Sequence, residues 1–78
     1  MPTVLVEGPY RFFFFSADRR EPPHIHVEAG DNAAKFWLEP VKLAWSKGFR
    51  GHELNRLRRI IEKHKQDFLE GWHEHLNS

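Results

Sequence analysis

Seventy-eight residues with 12 Lys and Arg against 11 Asp and Glu carry a formal charge of +1, which excludes bulk attraction to a polyanion. Any nucleic-acid contact must come from a local cluster. No cysteine is present, so a disulfide framework and a thiolate zinc site are both excluded. A chain this short is expected to form one domain, 1–78, near the size at which a single core barely suffices and a homodimer is a common remedy.

The first eight residues, Met1 to Gly8, have no basic region and no apolar run long enough for a signal peptide or a membrane span. A cytoplasmic, soluble protein is the expectation, and no clear element is read in Thr3–Glu7. The first strand is predicted over 10–16, where Phe12 to Phe15 give aromatic surface on both faces. Phe12 and Phe14 fall on one side, Phe13 and Phe15 on the other. A sheet covered on one face only leaves the second pair in need of a cover, which a partner chain can supply. A charged loop containing Arg19 and Arg20 follows, and Pro22-Pro23 makes a rigid lead-in by fixing φ and removing two backbone donors.

The second strand, 24–29, places His24, His26 and Glu28 on one face and Ile25, Val27 and Ala29 on the other, because side chains alternate along a strand. Gly30 to Ala33 reads as a hairpin turn into a third strand, 34–39. With the turn centred on Asp31-Asn32, Ile25 faces Leu38 and Val27 faces Phe36. The other face pairs His24 with Glu39, His26 with Trp37 and Glu28 with Lys35. Pro40 ends the run, and Val41, Leu43 and Trp45 alternate with Lys42, Ala44 and Ser46 in a fourth strand, 41–46.

From about 52 to 76 the pattern is helical: Leu54, Leu57, Ile61, His64, Phe68, Trp72 and His75 share one arc. An unbroken helix of that length runs roughly 39 Å, against roughly 30 Å for a globule of this size. Either Gly71 marks a kink or stop, or the turns carrying Trp72 and Leu76 project onto another subunit. The expected fold is α+β: an antiparallel meander of three to four strands with one long C-terminal helix packed on one face. The face left open carries His24, His26, Lys35 and Trp37.

Several chemistries fit these residues. His24, His26 and Glu28 can supply ligands to a divalent metal, although no cofactor is required. The pair His24 and His26 can instead act as general acid and base beside Arg19 or Arg20, in a small ribonuclease-like or metal-dependent enzyme. The structural alternative has His26 stacked on Trp37 and His24 bonded to Glu39 or to a loop carbonyl. On the helix, Arg56, Arg59 and Lys63 form a basic stripe able to meet phosphates or an acidic partner. The same stripe is also what the solvated face of an amphipathic helix looks like. His64 and His75 read as packed, His73 as exposed.

Pro22-Pro23-His24-Ile25-His26-Val27, after an aromatic strand and before a Gly-containing turn, further strands and a helix with Trp72, resembles the bacterial domain-of-unknown-function family 4160, over roughly Tyr10 to Leu76. The resemblance carries His24 and His26 as motif positions on a Pro22-Pro23 scaffold. It implies one half of a two-gene module of toxin–antitoxin type, with a small protein from the paired gene as partner. With the sheet face and the helix stripe, the leading expectation is a non-catalytic binding module that meets that protein or a nucleic acid.

Overall fold

The computed structural model describes residues 3–15 and 20–76. Five antiparallel strands lie in sequence order: β1 (Thr3–Glu7), β2 (Tyr10–Phe13), β3 (His24–Ala29), β4 (Asn32–Leu38) and β5 (Val41–Lys47). Two helices follow, α1 (Gly51–Lys63) and α2 (Lys65–Leu76). The α+β meander is as expected. The extra strand is β1, whose pairing Leu5↔Phe12 and Glu7↔Tyr10 extends the sheet by one. The first predicted strand, 10–16, is shorter: β2 ends at Phe13, and Ser16 lies outside the described residues.

Alternation sets the two faces. Tyr10, Phe12, Phe14, Ile25, Val27, Ala34, Phe36 and Leu38 form one buried cluster with Leu57, Ile60, Ile61, Phe68, Leu69 and Trp72 from the helices. The β3–β4 register pairs Ile25 with Phe36, His24 with Trp37 and His26 with Lys35. That is two residues from the register expected. The cause is local: the turn is Gly30-Asp31, with φ of +60° at Gly30 and no positive φ at Asp31, as a type II′ hairpin requires. Moving the turn centre by one residue moves each partner by two, so the pairs change while every side chain keeps its face.

At β5 the faces do change. Phe36 pairs with Leu43 and Lys35 with Trp45, so an extra residue, Ala44, sits in β5 as a bulge. Val41 and Leu43 therefore lie on the helix side and Trp45 on the open side, whereas strict alternation had put all three together.

The single long helix is two. Glu53 accepts a hydrogen bond from the Arg50 N–H at 3.1 Å, which closes the start of α1. The break falls at His64, not Gly71, with φ −105° and ψ 13° there. This resolves the length conflict, since the longest dimension of the protein is 34 Å. Trp72 does not project: it is buried, 5.6 Å from the Phe14 ring. Gly71 serves close approach instead, because a Cβ there would sit 3.2 Å from Phe14 Cε2. No described helix is long and apolar enough to cross a membrane.

Candidate functional site on the open sheet face

The Pro-Pro lead-in works through its carbonyls, the only hydrogen-bonding groups a proline backbone has. Pro23 O accepts from the Leu38 N–H at 3.0 Å, joining the start of β3 to the end of β4. Pro22 O takes the Nδ1–H of His24 at 2.9 Å, which fixes that tautomer. The alternative in which His24 bonds a loop carbonyl is therefore the geometry found.

His24 is 0 % exposed. Its ring lies 4.7 Å from Trp72, 5.7 Å from Trp37 and 5.1 Å from His26. The expectation that both histidines lie on a surface the helices leave uncovered thus needs correction: Trp72 of α2 packs against His24, and both histidines are buried. His26, 6 % exposed, stacks on Phe13 at 5.6 Å and meets Phe15 edge-on at 4.3 Å. Its expected stacking partner, Trp37, faces His24 instead, as the two-residue register change dictates.

The charges at the centre of this face are paired within the chain. Glu28 bonds Arg11, its cross-strand neighbour on β2, and not Lys35. Arg11 also lies 4.8 Å over the Phe13 ring. Lys35 bonds Glu21, with its ammonium 4.6 Å over Trp37. With Glu28 turned to Arg11, the set His24, His26 and Glu28 does not converge, and no group of three His, Asp or Glu among the described residues is placed to hold a metal. Arg20 is exposed, and Arg19 lies outside the described residues.

Beside His26 is a cavity of about 230 Å³, lined by Phe13, Phe15, His26, Glu28, Ala33 and Trp45. Its rim is formed by Trp45, 46 % exposed, and Phe15, 36 % exposed. Trp45 is the residue that sequence reasoning missed, since only the bulge at Ala44 turns it to this side. Phe13 and Phe15 were legible as a pair in need of a cover.

The helix stripe is a separate surface. Arg56, Arg59 and Lys63 are exposed on α1, and among the described residues they form no ion pair. Arg58 and Arg59 border a wider cleft of about 490 Å³ with Val41 and Glu62. His64 and His75 are packed as expected: His75 Nε2–H donates to Phe15 O at 3.0 Å, and His64 lies 5.9 Å from the Phe68 ring. His64 Nε2 is buried without a hydrogen bond in the described structure, 3.8 Å from Glu7.

Residues 10–73 match the family described as a domain of unknown function, DUF4160. The chain belongs to that family. No curated protein and no solved structure matches it. The DUF4160 match takes in the His24–His26 motif, four of the five strands, α1 and Trp72, so the whole open-face site lies within it.

Proposed function

We propose that this chain is a binding module that docks a small partner protein, of the paired-gene type, on its open sheet face. The observation that carries the reading is the contrast on that face. Its central charges are matched internally as Arg11–Glu28 and Lys35–Glu21, while the aromatic rings of Phe15 and Trp45 stand half in water around an apolar hollow. Exposed aromatics at a concave, charge-neutralised patch are the composition of an interface centre. Burial supports binding over catalysis, because His24 is enclosed with its Nδ1–H already committed and His26 is wedged between rings. A general base needs reach to a substrate proton.

The test is co-expression with the product of the adjoining small gene, followed by co-purification. Trp45→Ala is expected to abolish capture while leaving the circular dichroism spectrum unchanged. Capture that survives Trp45→Ala, or turnover that vanishes with His26→Ala, would sink the reading.

A second reading rests on α1, where Arg56, Arg58, Arg59 and Lys63 lack ion-pair partners among the described residues. That stripe would meet the phosphates of a nucleic acid. Binding through it must weaken steeply with salt and fail in Arg59→Glu with Lys63→Glu.

A further inference from the structure

Cations without ion-pair partners among the described residues stand on the open side of β5. In the observed register Lys47 stands opposite Ala33, Trp45 opposite Lys35, and Lys42 opposite Trp37, so all three β5 residues share the open side. Lys42 and Lys47 are exposed and form no ion pair among the described residues. Glu21 and Glu28, the acids beside them on this face, are already held by Lys35 and Arg11. The hollow rimmed by Trp45 is thus flanked along its outer strand by two cations that form no ion pair among the described residues. Between the rings its lining includes Ala33 and the backbone of Val27 and Ala34, whose side chains belong to the core.

We infer that the occupant of this site is an extended acidic segment carrying one aromatic side chain, the ring seated in the hollow against Trp45 and Phe15 and the flanking carboxylates on Lys42 and Lys47. The inference rests on the docking reading above and adds the chemistry of the partner. In an extended peptide, residues two apart share a face, so the pattern acid-x-aromatic-x-acid presents all three groups together. A neutral ring suits the hollow, because Phe13, Phe15, Ala33 and Trp45 supply apolar lining and Glu28, the charged side chain there, is held by Arg11. A nucleobase seated there would bring polar edges that lose water against those rings. Single-stranded nucleic acid stacks its bases on exposed aromatic faces, whereas here Phe15 and Trp45 border a cavity of about 230 Å³.

The experiment titrates the intact protein with the peptide acetyl-Glu-Ser-Phe-Ser-Glu-amide, following indole N–H resonances by NMR. Controls are the same peptide with Lys for Glu, the same peptide with Ala for Phe, and an eight-nucleotide oligouridine. Saturable binding of the acidic peptide is expected, weakened about tenfold or more by Trp45→Ala, by Lys42→Glu with Lys47→Glu, and by raising salt past the point where the screening length falls to about 3 Å. Circular dichroism confirms that the variants fold. Equal binding of the lysine or alanine peptide, no saturable binding of the acidic one, or tighter Trp45-dependent binding of oligouridine overturns the inference. If Trp45→Ala abolishes capture of the paired-gene product but the acidic peptide does not bind, the docking reading stands and the chemistry assigned to the occupant is wrong. If capture ignores Trp45, the docking reading itself has failed.

Discussion

The imidazole of His24 lies 4.7 Å from the indole of Trp72, and this contact ties the last helix to the first residue of the strand that carries the site. Both side chains are at most 2 % exposed. The Nδ1 bond to Pro22 O holds the imidazole from one side and the indole holds it from the other, so the motif is braced by groups far apart in sequence.

Trp72→Ala removes that brace along with the contact to Phe14. A loss of about 3–5 kcal/mol is expected, as for other buried aromatic truncations. Should that variant not fold, Trp72→Phe keeps a ring and is expected to lower the urea midpoint by a smaller amount. A midpoint unchanged in Trp72→Phe and Trp72→Ala alike would show that the indole contributes no packing.

The pair Glu21 and Lys35 should respond unequally. The Lys35 side chain is 11 % exposed and Glu21 is 43 % exposed, so the ammonium is the more enclosed partner. Glu21→Ala strands a desolvated charge and is expected to cost about 1–3 kcal/mol. Lys35→Met removes the charge while keeping the stem over Trp37, and its cost should be under about 1 kcal/mol. Chemical denaturation of the two variants decides it, and equal losses would contradict the argument.

Gly48 has φ of +87°, and a Cβ there would lie 2.1 Å from Asn32 Oδ1. Gly48→Ala should cost about 1–2 kcal/mol through the left-handed backbone alone. The amide of Asn32 can swing away, so the steric part is small. Asn32→Ala in the same chain should recover only a minor share, which a double-mutant cycle by thermal melting measures. Full recovery would mean that the clash, and not the backbone, sets the requirement for glycine.

At Gly71 two effects oppose each other. Alanine gains about 1 kcal/mol of helix propensity over glycine. It also pushes Phe14 by a few tenths of an ångström, from a contact of 3.2 Å. Gly71→Ala is therefore expected to be near neutral, whereas Gly71→Leu overpacks the site and should cost about 1–3 kcal/mol. A Leu variant as stable as the parent would show that α2 is free to move away from Phe14.

The amino-acid sequence by itself determined which face each strand residue takes on β2, β3 and β4, because alternation is a property of the local backbone. It put Ile25 and Val27 in the core and His26 on the open side. It also determined the apolar arc from Leu54 to His75, and it singled out His24 and His26 as candidate site residues. Partners across the sheet were another matter. They depend on where a turn is centred, and a difference of one residue at Gly30-Asp31 gave His26 to Lys35 and left Glu28 opposite Ala33, while Arg11 meets Glu28 across the separate β2–β3 pairing.

Only the tertiary structure decided the rest. The bulge at Ala44 turned Trp45 to the open face, and the helix broken at His64 packs so that Trp72 lies against His24. Both follow from fitting elements against one another within a body 34 Å long, a constraint that no short stretch of chain carries. The histidine motif was visible in the residues. The hollow beside it, with Trp45 on the rim and Lys42 and Lys47 along the edge, exists only once the sheet is assembled.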